Sequence, residues 1–167
     1  MSGRKSRSKG SKFENVIAKA LTKQLMVKFR RTPMSGGWAH GFKEVAGDIV
    51  CVEPDKYKQL YGHNFNSTYC IECKNVEGWR LETLFSGNDT WIRSWWAQAV
   101  RQCTSDDMHP VLVFSKNRTP VFTAVRCEFL LIPSNCVEYI SVNVCGEWLT
   151  IISFPDFLEI LSDNDAV

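Results

Sequence analysis

Glu72 and Lys74 lie two apart in TYCIECKNV (68–76), a stretch that reads as a strand. Side chains two apart leave the same face of a strand, so the carboxylate and the ammonium share a face while Ile71 and Cys73 turn into packing. A second acid, Asp48, follows Gly47 in VAGDIVCV (45–52), also read as a strand, with Ile49 and Cys51 alternating away from it. An aspartate is disfavoured inside a buried strand unless something satisfies its charge. If the two strands pair as a hairpin with a long loop, Asp48 and Glu72 converge on one divalent cation. Two carboxylates, waters and a phosphate oxygen compose an ordinary Mg²⁺ site. Lys74 beside it would orient or help deprotonate a water, or neutralise the phosphate under attack. The chemistry that needs this set is metal-assisted phosphodiester hydrolysis. The bland counterpart is a same-face Glu72–Lys74 ion pair on a half-exposed strand, worth little.

These residues need elements to position them. Ser11 with Glu14 three positions on matches a capping box, and Phe13, Ile17, Ala20, Leu21 and Leu25 continue at helical spacing. Glu14 is then a cap partner, which does not prevent it from also facing a metal. MVKFRRT (26–32) reads as a short strand on which Arg30 and Arg31 alternate, so only one of them faces the acids. PMSGGWAHGF is a glycine-rich loop, and 53–67 is a polar connection. Asp89 or Thr90 would cap a second helix from Trp91 to about Cys103, with Ile92, Trp96, Ala99, Val100 and Cys103 as its core stripe. Trp91, Trp95, Gln98 and Gln102 share another face, where Gln98 points to the acids or is a surface glutamine. The two tryptophans either stack on unpaired bases or pack. Strands follow at 110–115, 121–127, 137–142 and 148–153, then a helix at 155–161. The order defines one α/β domain.

Charge position says more than the net charge of +2. Residues 1–31 hold ten Lys/Arg, among them Lys5, Arg7, Lys9, Lys12, Arg30 and Arg31, against the single acid Glu14. After Arg126 there is no Lys or Arg, and seven acids follow. One end is built to meet a polyanion and the other is not. Residues 1–10 are expected as a basic flexible arm, and 11–167 as the domain, with a core of about 11–127 and an extension of 128–167. Seven cysteines, an odd number without a secretory signal, point to reduced thiols. Cys70 and Cys73 have zinc-knuckle spacing, but on a strand they point to opposite faces. No apolar run is long enough to span a bilayer. A soluble intracellular protein is expected, with neither a membrane nor a small-molecule substrate as partner.

The set KGSKFE (9–14), SGG (35–37), GDIV (47–50) and IECK (71–74), in that order, resembles the PD-(D/E)xK nuclease superfamily, and within it the archaeal-type and phage Holliday junction resolvases. The resemblance covers roughly residues 9–116. It implies an αβββαβ restriction-endonuclease-like core, a mixed central sheet flanked by helices, here followed by extra C-terminal strands and a short helix. It implies Mg²⁺, with Mn²⁺ as substitute, and a homodimer that nicks two opposed strands of a four-way DNA junction. By residue, Asp48 and Glu72 would hold metal, Lys74 would serve the water, Glu14 would be the first-helix acid, and Ser35 would lie near the scissile phosphate. Lys5, Arg7, Lys9 and Lys12 would fasten onto a DNA arm. Gly47 departs from the proline many members carry, and the region after Cys127 has no counterpart in the core. A duplex-cutting restriction or repair endonuclease, a non-catalytic DNA-binding module and a zinc-binding interaction protein are the alternatives.

Overall fold

The computed structural model describes residues 2–32, 46–86, 91–129 and 138–163, with side chains of the first helix from Lys9 onward. The elements run α1 (Ser2–Leu25), β1 (Phe29–Arg31), β2 (Ile49–Cys51), α2 (Pro54–Tyr61), α3 (Phe65–Thr68), β3 (Tyr69–Asn75), α4 (Trp91–Gln102), β4 (His109–Ser115), β5 (Phe122–Arg126), β6 (Tyr139–Val144), β7 (Glu147–Ser153) and α5 (Phe154–Ser162). Single 3-10 turns lie at Leu81–Leu84 and Cys127–Phe129. The expected αβββαβ order is present, with α2 and α3 inserted before β3.

Five strands form a mixed sheet in the order β3-β4-β5-β7-β6, parallel only between β3 and β4; β1 and β2 form an antiparallel pair. Strand alternation sorts the sheet into two apolar layers. Ile71, Val111, Val113, Val125 and Ile152 pack under α1 and α5, against Ile17, Leu21, Phe157 and Leu161. Leu112, Phe114, Ala124, Leu149 and Ile151 pack on the other face, against Ile92, Trp95 and Trp96 of α4. The C-terminal strands and α5 therefore complete the same core rather than standing apart from it.

Three expectations are corrected. The first helix reaches back to Ser2, so Ser11 lies inside it and is not its N-cap. The 2–10 stretch contains no proline, and its Lys, Arg and Ser residues are compatible with a helical backbone. The 53–67 connection is not a plain loop: Pro54 opens α2, Gly62 ends it in the left-handed conformation, and the Asn64 side chain caps α3. Consequently β2 and β3 are not a hairpin, and β2 pairs with β1. Ser35 and the glycine-rich loop, the Asp89–Thr90 cap and Cys136 lie outside the described residues.

Candidate active site

Asp48 sits immediately before β2 and is pinned from both sides. Its backbone N–H donates to the carbonyl of Ile71 in β3 at 2.7 Å, and its carbonyl accepts from Thr32 N–H, just after β1, at 2.8 Å. Its carboxylate Oδ2 accepts from the Cys73 N–H at 2.8 Å. This close approach depends on Gly47, whose φ is +78°. A Cβ there would meet the Ile71 carbonyl oxygen at 2.5 Å. Proline, with φ held near −65°, cannot adopt this backbone, which gives the departure from the proline motif a local cause.

On β3 the predicted face-sharing is observed. Ile71 and Cys73 enter the α1 layer, while Glu72 and Lys74 are in register with Leu112 and Phe114 of the α4 layer. Lys74 Nζ lies 2.5 Å from Glu72 Oε1. Gln98 of α4 closes the triangle: its Nε2 donates to Glu72 Oε1 at 2.7 Å, and its Oε1 accepts from Lys74 Nζ at 3.0 Å. Glu72 is 1% exposed, and its second oxygen, Oε2, is buried with no hydrogen-bond partner among the described residues. Gln102, one turn beyond Gln98, lies near enough to Glu72 to favour its ionised form, and its own Oε1 is buried with no hydrogen-bond partner among the described residues. The sequence placed Gln102 on the Gln98 face; its i, i+4 spacing was the signal for a role beside the acid.

Electrostatics tie the acids together. Burial pushes the Glu72 carboxyl above its ordinary range, and the nearby Asp48 charge pushes it the same way. Burial likewise raises Asp48, against the opposing Cys73 N–H, Lys74 and Arg31. Glu14 is raised by burial and by Asp48, while Arg31 opposes the rise. Arg31 Nε lies 3.0 Å from Glu14 Oε2, so this arginine is the one that joins the acids. Arg30 is exposed on the alternate side of β1.

The remaining assigned cations lie elsewhere. Lys9 pairs with Glu77 at 2.5 Å, and Lys12 is exposed on α1. The side chains of Lys5 and Arg7 are outside the described set. Cys70 belongs to a small cluster with Ala46 and Met108, whereas Cys73 belongs to the α1 layer, so the two do not share an ion. Trp95 is packed; Trp91 is 43% exposed against it, ring centroids 5.8 Å apart.

Among the described residues no group of three or more His, Cys, Asp or Glu side chains is placed to hold a metal ion by itself. Asp48 and Glu72 nevertheless fit one. Burial raises both the buried Glu72 and the half-buried Asp48, the Asp48 charge raises Glu72 further, and one Glu72 oxygen lacks a donor among the described residues; a cation answers all three. Magnesium commonly uses only one or two protein carboxylates, filling its other positions with water and phosphate oxygens.

A helix-flanked mixed sheet thus gathers an Asp, a Glu-x-Lys pair and a bridging glutamine in one α/β domain. A family model described as "Phage putative PDDEXK endonuclease" matches residues 5–143. The chain belongs to this family, and so to the PD-(D/E)xK superfamily of divalent-metal nucleases, whose substrate class here is DNA. No curated protein and no solved structure matches it significantly. No helix among the described residues is long and apolar enough to cross a membrane.

Proposed function

We propose that this protein is a Mg²⁺-dependent endonuclease that resolves branched DNA, four-way junctions first among its substrates, as a homodimer. The observation that carries the catalytic part is Asp48 held on the Cys73 N–H next to Glu72 and Lys74, near enough to act on the Glu72 carboxyl, with one Glu72 oxygen unpartnered among the described residues. The motif order and the basic first helix support a junction substrate, and a two-fold dimer suits a two-fold junction.

Asp48 and Glu72 would hold the metal. Bound there, Mg²⁺ or Mn²⁺ would supply Lewis acidity to a water and to a phosphoryl oxygen. Lys74 places its ammonium within reach of the same region, where it orients the water and offsets charge developing on the phosphate. Gln98 is a positioning residue: it bonds both Glu72 and Lys74 and fixes their separation. Arg31 holds Glu14 in the protein alone; a phosphate arriving at Arg31 would free Glu14 to join the other acids. Ser35, Lys5, Arg7, Lys9, Lys12 and Arg30 are assigned to the DNA backbone. In-line attack of water on phosphorus would form the new P–O bond and break the bond to the 3′-oxygen, which departs as the 3′-hydroxyl and leaves the phosphate on the 5′ end.

The test compares cleavage of an immobile four-way junction with that of its matching linear duplex, in Mg²⁺, Mn²⁺ and EDTA. Paired symmetric nicks in the junction alone, lost in EDTA, are expected. Equal cleavage of the duplex would keep the nuclease and reject the junction; no cleavage of either would reject both.

A further inference from the structure

We propose that the loop after β3 and the β4–β5 turn form a rigid platform gripping DNA phosphates beside the active site, with Arg80, Lys116 and Arg118 as its contacts. The proposal rests on the nuclease reading above and adds residues that the motif pattern does not contain.

The two loops are locked together. Val76 N–H donates to the Ser115 carbonyl at 3.2 Å, and Trp79 Nε1 donates to the same oxygen at 3.3 Å. Lys116 Nζ returns a bond to the Trp79 carbonyl at 2.9 Å and lies 4.8 Å from a Trp79 ring centroid. Thr119 N–H closes the turn onto Lys116, and Ser115 Oγ lies within 3.3 Å of three turn carbonyls. Glu77, the only acid in 75–81 and 115–121, is neutralised: it accepts from Lys9 of α1 and from the Asn117 N–H. What the platform shows to solvent is therefore positive. Arg80 and Arg118 are exposed, and neither forms an ion pair among the described residues.

Arg118 is the informative residue. Its φ is +58°, the left-handed region in which glycine or asparagine is the easier residue. An arginine kept there, exposed and on a pre-organised turn, is backbone strain accepted for the sake of a side chain. The location suits a phosphate next to the scissile one. Phe114 is in register with Lys74, so Lys116 stands two residues further along, roughly 7 Å at the rise of a strand. Groups already fixed in place bind without the cost of ordering flexible side-chain supports.

The experiment measures binding of a labelled duplex and a labelled four-way junction to the full-length protein in EDTA, across a salt series. The variants are Arg118→Gly and, separately, Arg80→Gln. Arg118→Gly should keep or raise Tm, because glycine relaxes the left-handed backbone, yet weaken binding several-fold at about 50 mM salt. Each variant should reduce the slope of log K against log salt by about 0.9, the loss of one phosphate contact. Wild-type affinity and slope in both variants would overturn the platform while leaving the nuclease reading intact. Should Arg118→Gly lower Tm, the Arg80→Gln slope decides, since that side chain is exposed and forms no ion pair among the described residues. Failure of the wild type to bind either DNA would overturn the nuclease reading and the platform with it.

Discussion

Glu72 is buried with one oxygen held by Lys74 and Gln98 and the other without a partner among the described residues, an arrangement that leaves a buried charge only half satisfied. Burial also raises the half-buried Asp48, outweighing the groups that favour its charge. A carboxyl raised in the folded state binds more protons there than in the unfolded chain between the two values. Its contribution to stability therefore falls as pH rises through that window, and the ionised form is a net cost at neutral pH. Asp48→Asn should accordingly raise Tm in EDTA at pH 7 while abolishing cleavage, with the Tm gain shrinking as pH falls and the wild-type carboxyl protonates. Thermal melts across pH, paired with a cleavage assay, check both halves; an unchanged Tm with full activity would sink the assignment. Gln98→Ala removes hydrogen bonds to two charged groups, each worth roughly 1.5–3 kcal/mol. A loss in kcat on the order of 10- to 100-fold is expected, with DNA affinity in EDTA unchanged and the pH profile displaced. A fall in affinity alone would instead make Gln98 a binding residue.

At the scale of elements, the site depends on how closely the start of β2 can approach β3. Gly47→Ala sets a Cβ against the Ile71 carbonyl and forces a left-handed backbone on alanine. It should cost about 1–3 kcal/mol and move Asp48 off the Cys73 N–H, so both Tm and cleavage fall. Because the cleavage defect comes from displacement, excess Mn²⁺ should restore less activity than it restores to an Arg31→Lys variant with the backbone untouched. The C-terminal elements are tied in as firmly. Phe157 of α5 is fully buried under the sheet. Phe157→Ala should destabilise the whole domain by roughly 3–5 kcal/mol, read as one cooperative transition shifted down; a separate early transition would mean that α5 folds on its own.

Across the whole molecule, charge is divided between the ends of the chain but gathered by the fold. The basic α1 meets the β3–β4 loops through Lys9 and Glu77, so cations far apart in sequence border one face. The acid-rich C-terminal part adds strands and a helix to the core. Metal binding should be visible globally. Mg²⁺ added to the wild type should raise Tm with increasing concentration, by preferential binding to the folded state, and should do nothing for Asp48→Asn. A titration followed by differential scanning fluorimetry checks this without any cleavage. The proposed dimer predicts twice the chain mass by light scattering, with or without junction DNA.

The local features were legible because they rest on periodicity. A side-chain alternation of two places Glu72 and Lys74 on one face and allows only one of Arg30 and Arg31 to turn towards the acids, which the structure shows to be Arg31, and a helical repeat selects Ile92, Trp96 and Ala99 for the core. The strands and helices from Trp91 onward are read within a few residues for the same reason. Helix limits were less legible: nothing in a run of Ser, Lys and Arg marks where α1 begins, and a capping-box pattern also occurs inside a helix. Features that depend on residues distant in the chain were beyond the sequence. The unclaimed Glu72 oxygen, the Gln98 bridge, the pinning of Asp48 between β1 and β3 and the need for glycine at position 47 all follow from which backbones come to lie side by side. Residue types and spacing determined the chemistry this protein could perform; the tertiary structure decided which groups meet, because burial and strand approach are set by packing partners that no local pattern names.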